Sequence, residues 1–435
     1  MTDKDHQQPY GDRLSMLYEI SLAFNSSLDL DEVLKRVMDE VITATHAERG
    51  FVMLMSDELS PGIGGSPQTK LAFKAARGLD QKTIEEPQFQ VSRSIVERVA
   101  AEGMPILTSD AQNDERFNIR QSITFLGLRS ILCVPLALKD RALGVIYVDN
   151  RLHVGIFTQA DLELLRAIAS SAAIAIENAR LYQVAIEKGR MERELQMARK
   201  VQAGLLPQEK PEIPGWAFSA RWIPAREVGG DYYDFIPVQS GKLGLVIADV
   251  TDKGMPAALF MASTRSIMRA IVPAASSPAI GITQANHLLC AESDNGLFVT
   301  LFYGLLNPEN GEFVYVNAGH NPPLVYQKRT AASAGGLKTL GNTGMQIGMD
   351  SDAGYTQDRL LLEPGDFVLL YTDGITDGLD AEKNDFGLAR LQELALTYCS
   401  ASPEELLDII KKALDDFTGT TAPYDDMTML VIKRL

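Results

Sequence analysis

The stretch LGLVIADVTDKG (243–254) decides how the C-terminal half of this chain is read. An apolar run ends on Asp249, and turn-forming Thr-Asp-Lys-Gly follows at once. Such a run reads as a buried strand that delivers a carboxylate at its end. Three more acidic clusters stand in comparable places: GGDYYD (229–234) around Asp231, DFVLLYTDG (366–374) around Asp373, and YDDMT (424–428) around Asp425. Carboxylates presented from several strand ends can converge at one rim of a sheet sandwich. Oxygen-only ligands of that kind suit hard divalent cations, magnesium or manganese, rather than zinc. Two such ions bridged by a carboxylate would make a hydrolytic site for phosphate esters. An Asp before Gly at a strand end is also an ordinary turn residue, so each cluster alone reads two ways. Four in one segment favour the site.

The order of these clusters resembles the PPM family of metal-dependent serine/threonine phosphatases, in the bacterial branch that regulates sporulation and stress sigma factors. The resemblance runs from about Met191 to the C-terminus. It is carried by ELQMARKVQAGLLP (194–207), PAREVGGDYYD (224–234), ADVTDKGMPAALFM (248–261), FVTLFYGLLNP (298–308), NAGHNPP (317–323), YTDGITD (371–377) and DDMTMLV (425–431). It implies an αββα sandwich, two packed antiparallel sheets with helices outside. It also implies a site: Asp249 as the bridging ligand, with the carbonyl of Val250 completing the second ion, and Asp373 and Asp425 completing the first. Asp231 would orient a water from behind the ligands, and Asp426, facing the other way on an extended strand, ranks second to Asp425. Arg226, five residues before Asp231, matches the family's phosphate-gripping arginine; an exposed loop arginine is the alternative. The better-known branch places a histidine two residues after the bridging aspartate, where this chain has Thr251. Protonation of the leaving group is thus unassigned. His320 is the candidate, beside the alternative of a loop histidine bonded to backbone, and Asn317 shares that ambiguity.

Composition sets the limits. At 435 residues the chain exceeds one ordinary core, which predicts two or three domains. A net charge of −16 argues against nucleic-acid binding. No apolar stretch reaches the length of a membrane span and the N-terminus has no signal-like core, so a cytoplasmic protein without a membrane partner is expected. Cys133, Cys290 and Cys399 have no paired spacing and suggest neither disulfides nor zinc.

The N-terminal part reads as helix (13–47, broken near Leu30, with Asp29 or Asp31 as N-cap), then strands at 50–56, 70–78, 130–138 and 142–150, with a helix within 91–107. Lys139-Asp140-Arg141 reads as a hairpin connection. The run GLRSILCVPLALKDRALGVIYVDNR (127–151), with FTQADLELLRAIASSAAIAIENARLY (157–182), resembles a GAF domain. That implies a six-stranded antiparallel sheet flanked by helices, either with a small-molecule pocket of unknown ligand or as a bare dimerisation platform. Asn150, Phe157 and Asp161 fit the cyclic-nucleotide pattern in part, but Arg151 and Leu162 depart from it.

From Asp161 to Leu206 the pattern is continuously helical and would extend roughly 60–70 Å. Leu181, Val184, Met191, Leu195, Ala198 and Leu205 form a seam interrupted by Lys188 and Gln202, which predicts a coiled-coil homodimer; a helix packed on its own chain is the alternative. The expected α+β organisation is a GAF sensor (1–180), a helical linker (181–210) and the PPM sandwich (211–435). The expected function is dephosphorylation of a phosphoserine on a signalling protein such as an anti-sigma-factor antagonist. A phosphoprotein-binding scaffold without turnover and a small-metabolite phosphatase are the alternatives.

Overall fold

The computed structural model describes residues 8–61, 67–78, 82–84, 91–112, 114, 126–139, 141–292, 296–328, 335–420 and 423–435. Asp140, expected at a hairpin tip, lies outside them. The chain divides into two compact units, Met1–Arg190 and Met191–Leu435.

The N-terminal unit begins with α1 (Gln8–Phe24) and α2 (Leu30–Thr45). Asp29 caps α2 by accepting from the Glu32 N–H at 2.9 Å, which settles the choice left open with Asp31. Val33, Leu34, Val37, Met38 and Val41 recur at helical spacing, so α2 buries one stripe. The strands are β1 (Arg49–Pro61), β2 (Pro67–Gly78), β3 (Ile106–Thr108), β4 (Ser130–Leu138) and β5 (Arg141–Asn150), with α3 (Arg93–Glu102) before β3. Among the described residues they form one five-stranded antiparallel sheet in the order β2-β1-β5-β4-β3, against the six strands that the resemblance implies. Period-two alternation then divides the side chains. Val52, Leu132, Val134, Ile146 and Val148 meet α2 and the start of the next helix, α4 (Gln159–Leu205). Phe51, Ile131, Cys133, Val145 and Tyr147 meet α3 on the other face. Arg49 and Asp149 form a buried two-point ion pair at 2.8 and 2.6 Å on that second face. Burial of Cys133 pushes its thiol far above the usual range, as a small core hydrophobe requires.

The positions that partly fit the cyclic-nucleotide pattern are engaged in local turns. Asn150 Oδ1 accepts from the N–H groups of Leu152 and His153 at 2.9 and 2.8 Å. Asp161 accepts from the N–H and hydroxyl of Thr158 at 2.8 and 2.7 Å, tying down the start of α4. Helix α4 is continuous for 47 residues. Leu181, Val184, Met191 and Val201 are exposed along it.

The C-terminal unit contains two five-stranded sheets, each antiparallel throughout. One has the order β13-β10-β9-β8-β7, built from β7 (Tyr232–Val238), β8 (Lys242–Val250), β9 (Val299–Leu306), β10 (Glu312–Ala318) and β13 (Asp358–Leu361). The other has the order β12-β11-β14-β15-β6, built from β6 (Trp216–Ile223), β11 (Leu324–Gln327), β12 (Gly336–Thr339), β14 (Phe367–Tyr371) and β15 (Met427–Arg434). Leu245, Ile247, Phe302, Phe313, Val368, Leu370, Leu430 and Ile432 fill the space between the sheets.

The opposite face of the first sheet, including Val246, Ala248 and Val250, packs under α5 (Met255–Ile271) and α6 (Pro278–Glu292). On the second sheet, Leu369, Tyr371, Met429 and Val431 pack under α8 (Leu388–Thr397) and α9 (Pro403–Thr418). A single helical turn, α7 (Asp373–Thr376), follows β14. Ser402 and Glu405 form a capping box at the start of α9. The result is the expected αββα sandwich.

Candidate metal centre

The alternation that builds the sandwich also places the acids. On β8, Leu245 and Ile247 face the opposing sheet, so Asp249, two residues on, faces it too. The same parity turns Asp231, at the start of β7, and Thr428 and Asp426, at the start of β15, toward the gap between the sheets. Asp373 opens α7 directly after β14. All of these positions lie at one end of the sandwich.

Asp231 is 1% exposed, and its Oδ2 accepts the hydroxyls of Thr372 at 2.8 Å and Thr428 at 2.5 Å. Two strands of the second sheet thus hold a carboxylate that belongs to the first. Asp426 is also buried; Oδ1 accepts the Ala225 N–H at 2.7 Å and Oδ2 the Gly230 N–H at 2.6 Å. Its carboxylate ties down the loop that carries Arg226 and the Gly229-Gly230 pair. Gly229 lies so close that a Cβ there would overlap the Asp426 carboxylate, and a Cβ on Gly230 would stand 3.0 Å from the Val250 carbonyl oxygen. A Cβ on Gly374 would collide with the Asp426 carbonyl, so the turn that presents Asp373 requires glycine.

Asp249, Asp373 and Asp425 are half-buried. Burial, then the charges of Asp373, Asp425 and Asp426, push the Asp249 carboxyl up to about 8, with Lys253 opposing. Asp373 is raised by burial and by Asp425, against the Gly374 N–H and Lys253. Asp231 stands well above the usual range through burial and the charges of Asp249 and Asp426. These are like charges forced together, which raises carboxyl pKa values.

The donors are carboxylates and a carbonyl, with more negative charge than Lys253 balances. That set fits magnesium or manganese. Among the described residues, no group of three His, Cys, Asp or Glu side chains is arranged to hold one ion. Small hard cations commonly keep several waters, so one or two carboxylates per ion suffice.

The remaining predicted residues fall differently. Arg226 is exposed. His320 is 3% exposed; its Nδ1 lies 2.8 Å from Thr300 Oγ1, and Thr300 pairs with Asp249 across β9 and β8. Asn317 Oδ1 accepts the His320 N–H at 2.8 Å. Burial pushes the imidazole down to about 4, against the backbone of Tyr371 and Thr300. These contacts favour the alternative of a histidine bonded within the fold, neutral and closed to substrate.

Gln202, which interrupts the helical seam, is buried, accepts the Gly229 N–H at 3.0 Å and donates to the Gly229 carbonyl at 2.6 Å. Its signal in the sequence was a polar residue where the seam expects an apolar one. Asp234, four residues from Val238 at the end of β7, is fully buried and anchors that strand to α5 through Arg269 at 2.7 and 2.8 Å.

Residues 239–435 match the SpoIIE family (stage II sporulation protein E), and residues 29–176 match the GAF domain family. The chain is 33% identical over 268 residues to Protein IcfG of Synechocystis, covering 55% of this chain and 41% of that one. It is 29% identical over 244 residues to the phosphoserine phosphatase RsbU of Bacillus subtilis, covering 55% of this chain and 70% of that one. This chain therefore spans less than half of IcfG. The fold of the SiaA-PP2C domain of Pseudomonas aeruginosa superposes with a TM-score of 0.51 at 19% identity, covering 57% of this chain and 98% of that domain.

Proposed function

We propose that this chain, whose residues 239–435 match the SpoIIE family and whose residues 29–176 match the GAF domain family, is a metal-dependent protein phosphatase under sensor control. What supports the reading most is that Asp373 and Asp425, presented from the second sheet, are near enough to Asp249 on the first for their charges to raise its carboxyl. A protein phosphatase is favoured over a scaffold because every acidic residue of the implied set is retained.

Asp249, Asp373, Asp425 and the Val250 carbonyl would hold two divalent cations, manganese or magnesium, with Asp426 in support. When bound, such ions activate water near neutral pH and neutralise phosphoryl oxygens. Asp231, fixed by Thr372 and Thr428, orients the attacking water through its carboxylate. Arg226, exposed on the loop that Asp426 holds, would grip two phosphate oxygens with its guanidinium fork. The buried His320 supports Thr300 behind Asp249, which leaves the leaving-group proton to solvent.

The substrate class is a phosphoserine on a folded signalling protein such as an anti-sigma-factor antagonist. The proposed organisation is a sensor at 1–180, a linker at 181–210 and the catalytic sandwich at 211–435, in a cytoplasmic homodimer joined through the sensor and α4. The exposed seam residues Leu181, Val184 and Met191 support that pairing. None of the described helices is long and apolar enough to cross a membrane.

The test is hydrolysis of a phosphoserine protein by the full chain. Activity should require manganese or magnesium, and Asp249→Ala should lower it at least about a thousandfold. Full activity in chelator would reject the metal assignment. Turnover confined to phosphorylated metabolites would move the reading to a small-molecule phosphatase.

A further inference from the structure

Lys253 lies within the acidic cluster. Its Nζ is 2.8 Å from Asp425 Oδ2, donates to the Tyr424 carbonyl at 2.7 Å, and sits 4.0 Å from the centre of the Tyr424 ring. The second Asp425 oxygen, Oδ1, accepts the Asp426 N–H at 2.9 Å. Both oxygens of this carboxylate are therefore engaged within the chain.

The backbone is shaped to deliver the ammonium. Asp252 takes a φ of 74° and Gly254 a φ of 81°, on either side of Lys253. Asp252 Oδ1 accepts the Lys253 N–H at 2.8 Å. A left-handed conformation is unfavourable for a residue other than glycine, so the turn is held by its surroundings. It carries Lys253 from the end of β8 in one sheet to the entry of β15 in the other.

We infer that Lys253 is an internal counter-ion that holds Asp425 and must release it before a divalent cation binds there, so that this lysine sets the ion affinity of the centre. The inference rests on the reading of the cluster as a metal centre. An ammonium and a divalent cation compete for the same Asp425 oxygen, and the two positive charges repel each other across the site. The Tyr424 carbonyl and ring hold the ammonium in the same seat, beside Asp425, and so add to what an incoming cation must displace.

The experiment is titration of the full-length protein with manganese at fixed pH and ionic strength, reading free manganese by electron paramagnetic resonance. Lys253→Met keeps the stem and removes the charge, and should bind manganese about tenfold more tightly than the wild type. Lys253→Arg keeps the charge and should stay within about threefold of the wild type. Tyr424→Ala removes the ring and should tighten binding by a smaller factor, which covers the case in which the methionine variant does not fold. Equal or weaker binding by Lys253→Met, once folded, overturns the inference and leaves the metal centre standing. No manganese binding by any of these proteins overturns both.

Discussion

His320 illustrates how much a single environment decides. The residue stands in a loop motif, where an exposed acid would be useful, but its imidazole is enclosed and held beside Thr300. Burial lowers its pKa to about 4, below the ordinary histidine value. A proton therefore binds the unfolded chain more readily than the folded one. The stability this neutral ring contributes is complete above the ordinary histidine range and is lost as pH falls from about 7 toward 4, by about 3 kcal/mol. Thermal melts of the full chain across that range should show the slope, and His320→Gln should flatten it. If the same variant left the slope intact while removing an acidic limb from the rate profile, the ring would instead be a proton donor in the reaction.

At the scale of elements, the end of α4 and the loop before β7 act as one joint. Gln202 satisfies both the N–H and the carbonyl of Gly229, one residue from the Gly230 whose N–H binds Asp426. Gln202→Ala would leave two buried backbone groups without partners, at about 1–3 kcal/mol each. The loop carrying Arg226 and leading to Asp231 would shift. The expected outcome is a fall in phosphatase rate of at least about tenfold with weakened manganese binding, read by steady-state kinetics and metal titration. A variant with wild-type rate and affinity would show that this joint only shapes the fold.

For the whole molecule, the sensor reading makes a demand that the isolated sandwich does not. Deleting residues 1–180 should change the rate or the metal dependence of phosphoserine hydrolysis by several-fold, measured on the same substrate as the full chain. An unchanged rate and metal dependence would mean that the N-terminal and C-terminal units merely share a chain. Sedimentation of the full protein should give a dimer whose mass halves when Leu181 and Val184 are replaced by glutamate, because charges in a coiled-coil seam oppose pairing.

The sequence alone marked the runs that form β8 and β14 and the acids at their ends, since apolar runs and turn residues are local signals, whereas short strands such as β12 and β13 carry too few residues to show a pattern. It also determined the oxygen-donor character of the site, because that is a matter of residue type. Only the tertiary structure decided which carboxylates do what: that Asp231 is held by threonines of the other sheet, that Asp426 binds backbone, that His320 is enclosed, and that Lys253 reaches Asp425. Each of these contacts joins residues far apart in the chain. Their energies depend on burial and on neighbouring charge, which take their values only when the two sheets are packed together.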